Sequence, residues 1–394
     1  MEKESYTPGL CAEDLAHYRD LAVQYARKSL LPIFDGEFSD GNLSLLPEKL
    51  KAAFEAGIAA TPDPSLPGHE YGIWGKAVDA QGFVPSIVLL STIAQTCGGV
   101  AMCLHAQGVA SNVLASASGR LPFAPRTVGL ALQEGFCPPF WGTIHSPDID
   151  APARITTVAE KRHDQYIING TKSFVYSMKD VDAYVVFALS GDEWGCFLVN
   201  SRAQGIEKKD VGVRTGLRAC LVEHVTFNNV EVPLEARIDE NGARDLVIRA
   251  LILNWVGMSA IAVGIAHGAV AAARKYASER YQGGKQIEEL PAIKMLIAGA
   301  EAFAATAEKM ALSLSDDDLY SLKKLKESAA AKSTVMDLCA RAVTDCLQSF
   351  GGYGYMEDYG MEKRLRDVSV LKSASGSTTY LKQLIFDLEK EAAK

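Results

Sequence analysis

The residues best suited to chemistry lie near the carboxyl end, in GGYGYMEDYGMEKRLRDVSVLKSASGSTT at residues 351–379. Gly351 and Gly352 have no Cβ, so their backbone amides could approach a phosphate or an adenine closely. Arg280, in ERYQGG, could clamp a diphosphate through two hydrogen bonds of its guanidinium. Each feature also has a structural interpretation, because a glycine pair often ends a helix and an arginine at a helix end is commonly solvated. The pattern indicates a segment able to hold a large anionic ligand.

Three regions that differ in sequence pattern must position these residues. Residues 1–122 are helical in pattern, as in EDLAHYRDLAVQYARKSLLP, where apolar residues recur at spacings of three and four and Pro32 closes the helix. Residues 123–234 consist of short β-rich runs separated by turns such as Asn169-Gly170, which predicts a compact antiparallel sheet or barrel. Residues 235–394 return to long, alanine-rich helices typical of a four-helix bundle. The predicted fold class is α+β, with an N-terminal helical domain, a middle β domain and a C-terminal helical bundle.

Composition narrows the functional class. The chain has 394 residues, 48% apolar, with a net charge of -8 and no long run of Lys or Arg, which disfavours nucleic acid and anionic lipid as partners. Its eight cysteines form no CxxC pair, so we expect reduced thiols and no metal site. The amino terminus lacks the pattern of a signal peptide, and no uninterrupted apolar run is expected to span a bilayer. These features predict a cytoplasmic protein.

Four stretches together resemble the acyl-CoA dehydrogenase family. They are QSFGGYGYMEDYGMEKRLRD at 348–367, GLRACLVEHVTFNNVEVP at 216–233, YIINGTKSFVYSMKDVDAYVVFA and SERYQGGKQI. The resemblance covers essentially the whole chain and implies the three-domain fold of that family. It also implies FAD as cofactor, an acyl-CoA thioester as substrate and an electron-transfer flavoprotein as electron acceptor. Since the family holds FAD at a subunit interface, it implies a homotetramer or a heteromer with a paralogous subunit.

The resemblance assigns residues to the cofactor site. Phe174 and Tyr176 fall where the family packs against and hydrogen-bonds the flavin ring, usually with Trp and with Thr or Ser. The alternative is that both simply alternate between core and surface along a strand. Gln133-Glu134 aligns with a Thr-Glu that starts a loop along the flavin and CoA, and the sequence that follows is longer than usual. The implied cofactor-binding set is Gln133, Phe174, Tyr176, Arg280, Gln282, Gly283, Gln348, Gly351, Gly352, Ser377 and Thr379.

The family's catalytic base is missing. In the family a glutamate removes the α-proton of the thioester while the β-hydrogen leaves as hydride to flavin N5. That glutamate aligns with Ser375, in Ser375-Gly376-Ser377, and the alternative base position of some members aligns with Asn254. Neither is a useful base, because an unactivated hydroxyl holds its proton tightly and an amide has no basic lone pair.

Three explanations remain open. A different residue could supply the base, either in the divergent loop or at Ser91, where members acting on cyclic acyl-CoAs carry it, although Ser91 is not acidic. The chain could instead be a non-catalytic subunit of a heteromeric dehydrogenase. The flavin could also serve another reaction, as in oxidases and monooxygenases of the same fold. The loop candidates are Asp148, Asp150, His145 and Glu134, with Tyr176 as a weaker one.

The substrate pocket has four further candidates. His105 lies on a helix that borders the acyl group in the family, although a satisfied core histidine explains it as well. Trp141 could shape a pocket for a bulky or ring-containing substrate, or anchor its loop. Trp255 falls where an arginine is usual, and Ser91 completes the set. We therefore predict α,β-dehydrogenation of an acyl-CoA with a non-standard base, leaving the acyl group open among branched, cyclic and aromatic ones.

Overall fold

The first region of the chain is helical. The computed structural model describes residues 12–31, 46–116, 121–134, 156–239, 243–314 and 319–392. Its first helices are α1 (Ala12–Tyr25), continued by a π-helical turn (Ala26–Leu30), α2 (Leu46–Glu55), the single turns α3 (Gly68–Tyr71) and α4 (Val78–Gln81), α5 (Val84–Ala94) and α6 (Gly98–Ala115). Nearly every residue of α5 and α6 is buried. Both are therefore core helices, buried on all sides.

The middle region is one seven-stranded sheet. Its strands are β1 (Val128–Ala131), β2 (Val158–Arg162), β3 (Gln165–Ser177), β4 (Ala183–Ser190), β5 (Glu193–Asn200), β6 (Ile206–Asp210) and β7 (Leu221–Pro233). The order is β1-β4-β2-β3-β7-β6, with β5 also paired to β4. The predicted antiparallel pairing holds for four strand pairs of this sheet, but β1 and β2 run parallel to β4, which the prediction of an antiparallel sheet or barrel did not include. Parallel neighbours need a crossover connection, which local sequence patterns do not reveal.

The last region packs around one long helix. Its elements are α7 (Arg244–Glu279), the short strands β8 (Tyr281–Gln282) and β9 (Lys285–Gln286), α8 (Pro291–Leu312), α9 (Leu322–Ser349), α10 (Met361–Leu371) and α11 (Thr378–Ala392). Helix α7 packs against α5 and α6 on one side and against α8 and α9 on the other. It thus joins the N-terminal helices to the C-terminal bundle.

Helix α7 is the one described helix that is long and apolar enough to cross a membrane by length and composition alone, although Asn254, Ser259 and His267 interrupt its apolar residues. However, 94% of its most apolar window is buried inside the protein. Its apolar surface therefore packs against other helices, as in the core helix of a soluble protein.

Candidate active site

A small cavity lies where α6, the sheet, α7 and the loop after α10 meet. Its volume is about 40 Å³, enough for a water molecule. One part of its wall is apolar and the other carries polar side chains. The lining residues are Met102, Ala106, Val109, Leu130, Leu132, Gln133, Phe174, Tyr176, Asn254 and Ser375. The structure therefore brings together five residues singled out from the sequence, Gln133, Phe174, Tyr176, Asn254 and Ser375.

Asn254 and Ser375, the two predicted base positions, are bonded to each other within a longer chain of hydrogen bonds. The indole Nε1 of Trp74 donates to His105 Nδ1 at 2.8 Å, and His105 Nε2 lies 2.9 Å from Asn254 Oδ1. Asn254 Nδ2 donates to Ser375 Oγ at 2.8 Å. This Trp74–Ser375 chain connects the loop before α4 to the loop after α10.

The protonation state of His105 follows from its surroundings. An indole N–H can only donate, so His105 Nδ1 must accept and the ring proton resides on Nε2. His105 is fully buried, and this burial, opposed by the bond to Asn254, lowers the pKa of the imidazole to about 4. His105 is therefore neutral near pH 7 and donates to Asn254. It is a satisfied core histidine that also orients a site residue.

A glycine on α7 makes room for His105. A Cβ added to Gly257 would lie 2.3 Å from both Cε1 and Nδ1 of the His105 ring. No side chain tolerates that distance, so only glycine lets α6 approach α7 closely here. Glycines at 257, 264 and 268 in an apolar helical pattern are a sequence signal for close helix packing, but they do not single out the contact with His105.

The Ser375 loop is held in an unusual conformation from behind. Ser375 has φ of 49° and Gly376 has φ of 100°, so both lie in the left-handed region. Trp255 Nε1 donates to the Ser375 carbonyl at 2.7 Å. The ammonium of Lys332 donates to the carbonyls of Ala374 and Gly376. Three successive carbonyls are thus fixed by two side chains.

Lys332 is the most unusual ionisable group near the site. It is fully buried on α9, and burial lowers the pKa of its ammonium to about 7. This role could not be predicted from the sequence, since Lys332 lies 43 positions before Ser375 in a helix with several other lysines. Trp74 was missed for the same reason, because only the tertiary fold brings it to His105.

A second cluster surrounds the far end of α7. The Arg280 guanidinium lies 5.0 Å from the centre of the Tyr353 ring, and Tyr276 stacks on Phe350 with ring centres 4.2 Å apart. The Arg280 Nε is buried without a hydrogen-bond partner in the described part of the chain. The cluster therefore places an incompletely satisfied cation beside the 351–355 segment. Around it the predicted cofactor residues Gln282, Gly283, Gln348, Gly351 and Gly352 are exposed.

The glycines of this cluster have partly local explanations. Gly351 has φ of 59° and Gly283 has φ of 69°, values that favour glycine in any turn. A Cβ on Gly351, Gly352 or Gly283 would meet no atom within 4 Å. The surface around their backbone is therefore open, and no described residue requires glycine at 352.

The two clusters are far apart within one chain. Asn254 lies ten positions inside α7 and Arg280 caps its carboxyl end, 26 positions further on, or roughly 39 Å at 1.5 Å per residue. The two groups of predicted cofactor residues therefore lie at separate places in one chain.

Several predicted residues lie elsewhere. The structure does not bring Ser91 to the cavity: its carbonyl packs at α7 opposite Gly264, ten positions from Asn254. Trp255 is buried behind the Ser375 loop and does not line the cavity. Ser377 and Thr379 are exposed at the start of α11, where Ser377 Oγ accepts from the Tyr380 amide.

The loop candidates for a replacement base are only partly visible. Glu134 pairs with the buried Lys172 at 2.6 Å and accepts from the amides of Thr156 and Thr157. Although burial opposes it, the Lys172 ammonium holds the pKa of Glu134 below its usual value. Glu134 is therefore a structural carboxylate and a weak base. Asp148, Asp150, His145 and Trp141 lie outside the described residues.

Comparison with known proteins identifies the family. Residues 245–387 match the model of the acyl-CoA dehydrogenase C-terminal domain, and residues 149–230 match that of the middle domain. The chain belongs to the acyl-CoA dehydrogenase family, and the fold class predicted from the sequence is confirmed.

Individual relatives show how far the likeness extends. An acyl-CoA dehydrogenase of Bacillus subtilis (strain 168) is 27% identical over 93% of this chain and 95% of its own length. The caffeyl-CoA reductase-Etf complex subunit CarC of Acetobacterium woodii is 29% identical over 59% of this chain and 62% of its own, which is less than two thirds of that relative. A solved acyl-CoA dehydrogenase complexed with FAD from Bacillus anthracis superposes with a TM-score of 0.80 at 18% identity, covering 100% of this chain and 70% of the other. That last likeness establishes the fold.

Proposed function

We propose that the protein is a cytoplasmic, FAD-dependent oxidoreductase that performs α,β-dehydrogenation of an acyl-CoA thioester. The observation that carries this proposal is the cavity in which Phe174 and Tyr176 of β3 face Asn254 and Ser375. It combines an aromatic wall with the two positions from which the family addresses the α-proton. The name of the Acetobacterium relative links it to an Etf complex, so an electron-transfer flavoprotein is the proposed electron acceptor.

The exposed cluster at Arg280 fits the diphosphate and adenine end of FAD. A guanidinium with a buried, unpartnered Nε is suited to an anion, and the open glycine backbone at 351–352 allows close approach. Gln282 and Gln348 add amide donors and acceptors at the same surface. Because this cluster lies far from the cavity, we propose a homotetramer, or a heteromer with a paralogous subunit, in which neighbouring chains share each FAD.

At the cavity, the residues of this chain would bind and orient the flavin and the acyl group. FAD supplies a hydride acceptor when bound. Burial raises the pKa of the Tyr176 phenol, so Tyr176 remains protonated and serves as a donor rather than as a base. Asn254 and Ser375 are neutral as well. The base that we propose therefore comes from outside this set, with Asp148 and Asp150 as candidates.

The first test is an anaerobic absorbance titration of the protein purified alone. Straight, branched, cyclic and aromatic acyl-CoAs are added while the oxidised-flavin band is followed. We expect about one FAD per chain and bleaching with one substrate class. A flavin that no thioester reduces would contradict dehydrogenation by this chain alone.

The missing base has its own test. General acid-base catalysis contributes roughly 10²- to 10⁴-fold to rate. We expect Ser375→Glu to gain oxidation of simple acyl-CoAs, whereas Ser373→Glu, at an exposed neighbouring position, should not. No gain would mean that the pocket has diverged beyond the loss of one carboxylate.

One observation favours a second candidate, a non-catalytic subunit of a heteromeric dehydrogenase. Both base positions are neutral, and their side chains are bonded to each other rather than left available. A subunit that contributes only the Arg280 side of a shared FAD would not need a base. In that case the purified chain should be colourless alone and should bind FAD when its paralogue is added.

A further inference from the structure

We propose that Ser375 is a specificity-determining hydrogen-bond donor that selects acyl thioesters with an oxygen substituent on the carbon beside the thioester carbonyl. This inference rests on the proposed function, because it takes the CoA thioester as given. It adds the class of acyl group, which neither the sequence nor the relatives define.

The direction of the Trp74–Ser375 chain fixes what Ser375 can offer. The Trp74 indole can only donate, so His105 must pass its single N–H to Asn254 Oδ1. With Oδ1 occupied as acceptor, the Asn254 amide directs its N–H at Ser375 Oγ. Ser375 Oγ therefore acts as acceptor toward Asn254, and its own hydrogen must point elsewhere.

The surroundings leave the cavity as the place for that hydrogen. The nearby carbonyls of Ala374, Ser375 and Gly376 face donors behind the loop, the Lys332 ammonium and the Trp255 indole, and none is recorded as bonded to the Ser375 hydroxyl. The cavity wall contributed by α6 is apolar, with Met102, Ala106 and Val109. Within the described ranges, the structure records no acceptor for the Ser375 hydroxyl. A ligand oxygen can supply one.

The Trp74–Ser375 chain of hydrogen bonds cannot make Ser375 a base. An amide does not relay a proton, so Asn254 interrupts any transfer from Ser375 to His105. Because His105 stays neutral well below pH 7, the donor-to-acceptor order of the hydrogen bonds from Trp74 to Ser375 is the same over the whole neutral pH range. The site therefore presents one fixed O–H donor at the place where the family presents a carboxylate.

The energetic consequence is a preference between ligands. A site that hydrogen-bonds a ligand oxygen discriminates against the analogue without it, because the half-buried donor, once the ligand covers it, is then left unpaired. Losing one such hydrogen bond lowers the affinity about 5- to 150-fold. The preferred ligand should carry its oxygen at the α-carbon, the position that the family's base addresses from residue 375.

The test compares three thioesters of equal chain length on the FAD-containing protein by isothermal titration calorimetry. They are 2-hydroxybutanoyl-CoA, butanoyl-CoA and, as a positional control, 3-hydroxybutanoyl-CoA. We expect wild type to bind the 2-hydroxy compound about 5- to 150-fold more tightly than butanoyl-CoA. Ser375→Ala should abolish this preference, and Ser373→Ala should keep it. Ser375→Gly gives a second variant without the hydroxyl whose backbone suits the positive φ.

The outcomes separate the two proposals. If no thioester binds wild type, the proposed function fails and the substrate class fails with it. If the thioesters bind with equal affinity, or if Ser375→Ala retains the preference, the inference about Ser375 alone is overturned.

A spectroscopic measurement checks the direction of the chain without any ligand. In ¹⁵N-histidine-labelled protein, the His105 signals, assigned with His105→Gln, should show an Nε2–H tautomer with unprotonated Nδ1. The Nδ1–H tautomer would reverse the donor order and overturn the inference.

Discussion

Replacing Lys332 with methionine should change how stability depends on pH. Lys332 Nζ is fully buried, bonds only to the carbonyls of Ala374 and Gly376 among the residues described, and has a pKa lowered to about 7. A free lysine has a pKa of about 10.4. In the Lys332→Met variant this difference between the folded and unfolded states is absent.

The sign follows from proton counting. Between about pH 7 and pH 10 the unfolded lysine binds a proton that the folded one lacks, so the free energy of unfolding of wild type rises with pH. The slope is at most about 1.4 kcal/mol per pH unit, because one proton is involved. Below about pH 6 the folded lysine is also protonated and contributes no slope. The two carbonyls lose their donor in the variant, but that cost does not depend on pH.

Thermal midpoints of wild type and Lys332→Met should be measured from pH 5.5 to pH 9.5. The difference between the two midpoints removes the contributions of all other titrating groups, which both proteins share. An unfolding entropy of about 2.1 cal/mol/K per residue gives about 0.8 kcal/mol/K for 394 residues. The midpoint of wild type relative to Lys332→Met should then rise by about 1.7 °C per pH unit above pH 7. The exposed Lys323→Met is the matched control and should show no such slope. Parallel curves for wild type and Lys332→Met would refute the reasoning.

Three further predictions concern the packing around the site. Arg249→Met should lower the free energy of unfolding by about 3 kcal/mol in thermal denaturation, because Arg249 is fully buried and bonds to three side chains. Glu134→Gln should destabilise by about 3 kcal/mol by leaving the buried Lys172 without its carboxylate, and Lys172→Met in the same chain should recover most of the loss; no recovery would argue against that pairing as the cause. Gly257→Ala should push the His105 ring away and abolish its single Nε2–H tautomer in the ¹⁵N spectrum, and an unchanged spectrum would contradict the close approach.

The sequence predicted the fold where local pattern decides structure. The change from helical spacing to short β runs and back indicated the α, β, α order, because periodicity reports which face of an element is buried. The parallel pairing of β1 with β4 was missed, since it depends on a crossover between distant segments. The long helix α7 was predicted, but its burial was not readable from the sequence, because it depends on other helices packed around it.

The sequence singled out candidate residues of the site one by one, but it did not indicate how they are arranged in space. Alignment to the family placed Asn254 and Ser375 at two alternative base positions, each taken separately. Their hydrogen bond joins residues 121 positions apart, which only the tertiary structure reveals. The same applies to Trp74 and Lys332, whose types alone suggest a core aromatic and a solvated helix face.

The direct bond between the two base positions explains why both are neutral in this chain. A carboxylate at 254 would accept the Ser375 hydroxyl hydrogen, and the cavity would lose its donor. A carboxylate at 375 would accept from the Asn254 amide, which stabilises the ionised form and lowers the pKa of that carboxylate. Its strength as a base would fall accordingly, so Ser375→Glu should approach the lower end of the roughly 10²- to 10⁴-fold range. Residue 375 can therefore act either as a hydrogen-bond donor or as a base at this cavity, and the side chain at residue 254 helps to determine which.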